Sequence, residues 1–489
     1  MRIIYLRYTL LLLLVGYSTV GSAQDNTLFF LRSLPQKSNI NASVIPEGKA
    51  FIGFPALSSV HYDYYNSAFA LKDVMHLGTG ARADSLIIDM NGFANSLSPN
   101  NVLFNEFSNT WLTFGFKVKS SFFTFALSTK YKSKFFYPAS IGDIPKGNYD
   151  YSTGQVQTLS TTGTNFNTIA YNELALGYAK VINEKVTVGG RIKFLQGLGD
   201  VHTERVDIDV ATTSNSEITI TSDILIKTSL PLEVELDSMG YVESVSSNSD
   251  MEISRFFDNR GFGIDLGATY KPIPKLVLGI ALNDIGYIRW SAYPNTFTSN
   301  ATFKYSGVDL SDMFIDGNNS SEYFDQMKDS IKNSFVVTNT ASNYTTGLQG
   351  NIVLSGNYQM LKWLDLGALV KSQFYYGQAY PSLGLACAMS PSKLFSSTIS
   401  YSMRKGSYNN LGVGFAFNPG ALQFYLAVDN ISNAFALENA KAINMKFGIN
   451  FIIGSNPDKK SSAKNKGQES VPSKEITPTK DVAPPVALR

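Results

Sequence analysis

Charged side chains recur at alternate positions in several stretches of this 489-residue chain, each set between large apolar neighbours. Lys117 and Lys119 interleave with Phe116 and Val118, and Lys130, Arg191, Lys193, Asp265, Lys371 and Lys446 stand in similar runs. Successive side chains of a strand point to opposite faces, so each charge shares its face with Gly, Ser, Thr or Asn and opposes the apolar set. A charge on a lipid-facing surface is costly, so these residues are expected to face a lumen. Two roles are open to such a mainly basic set: a network that pins a plug, or selection of an anionic solute by its carboxylate. Asp284, Asp429 and Asn430 form a second group, in the echoed stretches Leu282-Asn283-Asp284-Ile285 and Val428-Asp429-Asn430-Ile431. Asp and Asn at a strand end either terminate it through local hydrogen bonds or shape an opening through which a ligand leaves sideways.

Covalent chemistry has no starting point. A hydrolase needs a nucleophile, a base and an orienting group, and the three histidines, His61, His76 and His202, fall in expected connections between strands. No Gly-x-Ser-x-Gly elbow, His-Glu-x-x-His helix or Walker-type loop is present. The single cysteine, Cys387, permits neither an internal disulfide nor a multi-cysteine metal site, and is expected to face lipid. The formal charge of +2 argues for no nucleic-acid partner. The expectation is a non-enzyme without cofactors.

The elements that carry these residues are strands. Aromatic residues make up 13% of the chain and charged residues 16%, against about 25% charged in an average protein. In 112–118, Leu112, Phe114, Phe116 and Val118 alternate with Thr113, Gly115 and Lys117; in 262–270, Phe262, Ile264, Leu266, Ala268 and Tyr270 alternate with Gly263, Asp265, Gly267 and Thr269. About fourteen such segments are expected, at roughly 49–57, 108–119, 121–131, 168–181, 185–197, 260–271, 274–284, 345–359, 362–374, 378–390, 393–404, 409–418, 421–430 and 441–453. A soluble sandwich shares this alternation, but connection lengths separate the two. Those after even-numbered strands are all tight, as at Ser120, Pro391-Ser392 and Pro419-Gly420, whereas those at 58–107, 132–167, 198–259 and 285–344 are long. Short periplasmic turns and long outer loops mark an outer-membrane barrel. The expected fold is therefore all-β, a transmembrane antiparallel β-barrel of about 14 strands over 49–454, with Trp111, Trp290 and Trp363 near its interfaces.

Residues 1–23 read as a secretory signal peptide: Arg2 and Arg7, an apolar run over 10–15, then Gly21-Ser22-Ala23 before Gln24. Segment 24–48, with Leu28-Phe29-Phe30 and Pro35, is expected to plug the lumen. Residues 455–489 shift to Lys, Ser, Pro and Glu without an aromatic residue and read as a disordered periplasmic tail.

The stretches GFGIDLGATYKPIPKLVLGIALNDIGYIRW (261–290), NELALGYAKVINEKVTVGGRIKFLQG (172–197) and 35–57 resemble an uncharacterised family of Bacteroidota outer-membrane barrels. That family is similar, at a distance, to the FadL-type long-chain fatty-acid transporters, 14-stranded barrels with an N-terminal plug, a group that includes the shuttle barrel of type IX secretion. The resemblance implies either passive transport of small hydrophobic or anionic molecules across the outer membrane, or a non-transporting surface scaffold or secretion accessory. Lys446, Gly448, Phe451 and Ile453 resemble the last-strand signal read by the outer-membrane assembly machinery, which makes that machinery and membrane lipid the expected partners. Many such signals end the chain, whereas this one is followed by a tail.

Overall fold

A computed structural model describes residues 26–454, apart from 81–82, 84, 144–148, 151–154, 157, 213–216, 248–251, 306–336, 376–377, 405–406 and 432–436. The signal segment and the tail expected at the two ends lie outside the described residues.

Fourteen antiparallel wall strands close into one barrel. The first is broken into β1 (Ala50–Gly53) and β2 (Ser59–Asn66); then follow β3 (Asn100–Val118), β4 (Ser121–Pro138), β5 (Asn165–Val181) and β6 (Val186–Thr212). β7 (Ile218–Ser229) stands outside the wall, which resumes with β8 (Arg260–Ile273) and β9 (Leu276–Trp290). β10 (Pro294–Tyr305) and β11 (Thr338–Thr340) again stand outside it, and the eighth wall strand is split into β12 (Tyr344–Gly347) and β13 (Asn351–Leu361). The rest of the wall is β14 (Leu364–Tyr375), β15 (Gln378–Met389), β16 (Phe395–Arg404), β17 (Ser407–Phe417), β18 (Leu422–Val428) and β19 (Ala442–Ile453). β19 closes the barrel, with Ala50 opposite Ile453 and Val60 opposite Phe447.

The strands reach further into the expected outer loops than the sequence suggested. β3 begins at Asn100, β4 runs to Pro138 and β9 to Trp290. From Asp200 upward β6 pairs with β7, which pairs with β10, which pairs with β11, building a blade of strands above the rim.

The outer surface carries the apolar half of the alternation. Ile192, Phe194, Leu266, Ile280, Leu385, Ile399 and Phe415 are all exposed, which a water-facing barrel would not tolerate around its whole girth. Among the described residues no helix is long and apolar enough to cross a membrane. Cys387 lies in phase with exposed Leu385 on the outer face.

The interior is filled from the chain's own start. The short helix α1 (Asn26–Phe30) and a 3-10 turn over Pro35–Asn39 lie inside the barrel, and every residue of α1 is buried. Leu28, Phe29, Phe30, Leu31 and Leu34 pack against Ala281, Val353, Leu369 and Ala416 of the wall; burial of each large side chain contributes about 1.5–3 kcal/mol. The wall admits them because it is cut back: a Cβ at Gly367 would overlap the Phe30 ring, and one at Gly189 the Ala42 carbonyl. Polar ties fix the register. Thr27 N–H donates to Asp429 (2.9 Å), Arg191 donates to the Ser38 carbonyl (2.9 Å), and Asn283 donates to the Ile40 carbonyl (2.9 Å).

Lys37 on the 3-10 turn holds its ammonium 5.7 Å from the centre of the Phe29 ring. Burial pulls it down to about 8, against the opposing pull of Glu47 and Asp365. A lysine whose folded pKa is depressed costs stability while it is protonated in the folded state. That cost is full below about 8 and is relieved as pH rises towards 10.5. The thermal unfolding midpoint should therefore rise between pH 7.5 and 9.5, and the rise should flatten in Lys37→Met; an identical slope in the variant would refute this origin.

Candidate functional site: the charged lumen

Above the plug the inward charges of eight wall strands meet in a buried ionic cluster. Alternation places Lys130 and Lys132 on one face of β4, Arg191 and Lys193 on one face of β6, and Glu173 on β5 between them. Lys193 is the hub: its Nζ lies 2.5 Å from Asp284, 2.7 Å from Asp265 and 3.8 Å from Glu173. Lys130 pairs with Glu173 at 2.7 Å, Lys132 reaches Asp284 at 3.6 Å and Glu106 at 3.9 Å, and Arg191 lies 3.5 Å from Asp265. These charges are removed from water, where an ion pair without good partners is costly.

Asp284 owes its place to the backbone. Asp265 of β8 faces both Asn283 and Asp284 of β9, a bulge with one extra residue. Asp284 takes a φ of 56°, and its N–H donates to the Asp265 carboxylate at 2.8 Å. The expectation that Asp284 ends a strand at the rim is corrected: the strand continues to Trp290 and the bulge turns Asp284 into the lumen. Asp429 and Asn430 do follow the end of β18, but both are buried, Asp429 on Thr27 and Asn430 on Asn410 at 2.7 Å.

A cavity of about 110 Å³ lies within the cluster, lined by Lys130, Lys132, Arg191, Lys193, Lys371 and Lys446 together with Glu106, Glu173 and Asp284. A second, of about 270 Å³, adjoins it through Lys132 and is lined by Lys134, Ile169, Tyr171, Asp200, Leu348 and Phe374. A third, of about 740 Å³, opens at the tight-turn end beside Arg32, Glu47 and Gly454. Phe374 is an outward, exposed residue. The second cavity thus reaches the wall where β9 changes partner from β13 to β12, at Leu348–Gly350.

Of the expected lumen set, Lys130, Arg191, Lys193, Asp265, Lys371 and Lys446 are buried or half-buried inside. Lys117 and Lys119 are not in the cluster: both are exposed, and Lys119 occupies the turn before β4 with a φ of 53°. Glu106, Lys132 and Glu173 were missed, although Lys132 stands in phase with Lys130. The histidines are also corrected. His61 is buried on β2 beside Asn444 at 3.1 Å, and His202 is part of β6; neither is in a loop. Trp290 is fully buried against Tyr344 and donates to Thr346 at 2.7 Å, whereas Trp111 and Trp363 are exposed. The cluster can bind and orient charge. Among the described residues, no group of His, Cys, Asp and Glu could hold a metal ion.

Solved structures that align with the chain include a Pseudomonas aeruginosa FadL homologue, at 11% identity and a TM-score of 0.39, covering 88% of this chain and 99% of that one. The Ralstonia pickettii toluene transporter TbuX aligns at 10% identity and 0.39, over 90% and 97% of the two chains. The translocator domain of the autotransporter NalP from Neisseria meningitidis aligns at 9% and 0.30, over 86% and 92%. No curated protein matches the chain in sequence. A family model matches residues 43–429, from the end of the plug to the rim of β18, and by that match the chain belongs to DUF5723, a family of unknown function.

Proposed function

We propose that the chain is a barrel of a cell outer membrane that gives passive passage to small solutes, hydrophobic or anionic, past a plug formed by its own N-terminal segment. The observation that carries the reading is the pairing of an apolar outer belt with cavities of about 110 and 270 Å³ in the lumen. Removal of the signal segment before Gln24 fits the burial of Asn26 deep in the lumen, against Gly384. For the assembly machinery, β19 offers Phe451 and Ile453 on its exposed outer face, with Lys446 and Gly448 turned inward. Phe374 at the edge of the upper cavity supports a sideways exit for hydrophobic cargo. A second reading, a surface scaffold or secretion accessory without flux, is favoured by the outer blade of β6, β7, β10 and β11.

In cells, the unheated protein should fractionate with the outer membrane and migrate anomalously on gels. In liposomes, the full protein should pass small anions slowly and a variant lacking 24–48 rapidly. Absence of flux in both forms would sink the transport reading and leave the scaffold.

A further inference from the structure

One row of direct cross-strand partners runs over the outer face of the wall: Thr129 on β4, Asn172 on β5, Gln196 on β6, Arg260 on β8, Arg289 on β9 and Thr345 on β12. Arg260 and Arg289 are exposed, and Arg289 is in phase with exposed Ile285 and Tyr287, while Ile288 and Trp290 turn inward. The next outward row towards the tight turns is apolar, with Leu174, Phe194, Phe262 and Tyr287 as successive partners. The polar row therefore borders the lipid-facing belt on these strands. Its height fits that border. On β9 the outward apolar run from Leu278 to Tyr287, at about 3.4 Å per residue and a tilt of roughly 40°, climbs about 23 Å along the barrel axis, against about 25 Å for the apolar band of an outer-membrane barrel. Arg289 comes next, at the level of lipid headgroups.

Part of the row is satisfied from within. Trp111 donates to Thr129 at 2.8 Å, Thr129 to Asn172 at 2.7 Å, and Asn172 to Gln196 at 3.1 Å. The two arginines are not. Arg260 donates through Nε to the Phe257 carbonyl at 3.0 Å, which leaves its two terminal nitrogens, and among the described residues no carboxylate lies within 4 Å of either guanidinium. Asp258, exposed on the turn before β8, pairs with neither. Other basic groups of the outer end are occupied: Arg205 by Asp223, Lys227 by Glu204, and Arg255 by the Tyr293 ring. Like charges directly opposite on paired strands repel, and adjacent hydrocarbon screens that repulsion less than water does. An anion seated between them turns it into attraction, and the flat fork of a guanidinium matches phosphate oxygens in particular.

We propose that Arg260 and Arg289 bind the phosphate of a lipid headgroup in the leaflet at the long-loop end, with the acyl chains of that lipid lying down the wall over Phe194, Phe262 and Tyr287. Gln196 and Thr345, the partners of the two arginines on their far sides, add neutral donors. The anchored lipid becomes part of the outer surface of β6, β8, β9 and β12, the sector beneath the blade. The proposal rests on the outer-membrane reading above. Lipid binding is measured in detergent, so it and membrane fractionation can fail separately.

Native mass spectrometry of the purified full-length protein in uncharged detergent, with lipid A carrying one phosphate as the probe, tests this. One lipid should stay bound at low excess, and the same lipid without its phosphate should bind at least tenfold more weakly. Arg260→Gln and Arg289→Gln should each weaken binding about tenfold, the loss of one charged hydrogen bond. Lys271→Gln, at the opposite end of β8, should change nothing. Both arginines are exposed, and heat-dependent gel mobility identifies folded variants. Equal binding of the dephosphorylated lipid, unchanged affinity in both folded arginine variants, or an equal loss in Lys271→Gln would each overturn the proposal. Displacement of the lipid by an equal concentration of inorganic phosphate would also overturn it, because the site would then take a free anion.

Discussion

Exchange of Lys193 for methionine is expected to destabilise the barrel by roughly 3–5 kcal/mol, the usual cost of removing one partner from a buried ionic group. The aliphatic stem is replaced almost atom for atom, so the loss is electrostatic. Asp284 and Asp265 lose their nearest cation, at 2.5 and 2.7 Å, and keep only Lys132 at 3.6 Å and Arg191 at 3.5 Å. Urea unfolding in micelles, followed by tryptophan fluorescence, would measure the loss. Lys193→Met combined with Asp265→Asn should recover part of it, because one orphaned carboxylate is then neutral. A double variant no more stable than the single one would show that Asp265 is not coupled to the lysine.

A leucine at Gly367 should expel the first turn of the plug. The added Cβ falls within the Phe30 ring, and the ring has no room to yield because Phe29 is set edge-on against it, with centroids 5.3 Å apart. Overpacking in a filled core costs about 1–3 kcal/mol where the neighbours can adjust; moving α1 avoids part of that cost and opens the lumen beside β14. Single-channel recordings should show conductance in Gly367→Leu that is absent from the parent protein. Phe30→Ala, which removes the obstructing ring at a cost of about 3–5 kcal/mol of plug packing, should suppress that conductance when combined with Gly367→Leu, because the new side chain fills the hole. Conductance in the double variant equal to that of Gly367→Leu alone would place the leak elsewhere.

Much of the wall could be read from the chain because lipid demands one kind of side chain outside and the close-packed interior another, so each strand carries its orientation in period-2 form. Interruptions of that period were harder. Leu278, Ile280 and Leu282 point outward on even numbers, then Ile285 and Tyr287 on odd ones. The change of phase marks the bulge at Asp284, yet Asn-Asp reads locally as a strand terminator. The same difficulty hid His61, since Phe54 to Ser58 breaks the first strand and Ala56 takes a φ of 60° there. Glu106 was missed because the expected strand began at 108. The fit of Phe30 to Gly367 could not be read at all: it joins the start of the chain to its ninth wall strand, and no local pattern encodes a match of shapes at that separation.

The closing seam ties the plug's exit to the edge where the wall is completed. The first wall strand pairs with the last, so the sheet remains open until β19 docks on β1 and β2. Residues 26–48 emerge directly ahead of β1 and end up enclosed. The seam that completes the wall therefore lies beside the point where the plug segment leaves the lumen and turns into β1. The break between β1 and β2 shortens the run of backbone hydrogen bonds that commits the sheet at this edge. The seam is thus made of two short ladders, Ala50–Gly53 and Val60–Tyr65 on β19, in place of one continuous run.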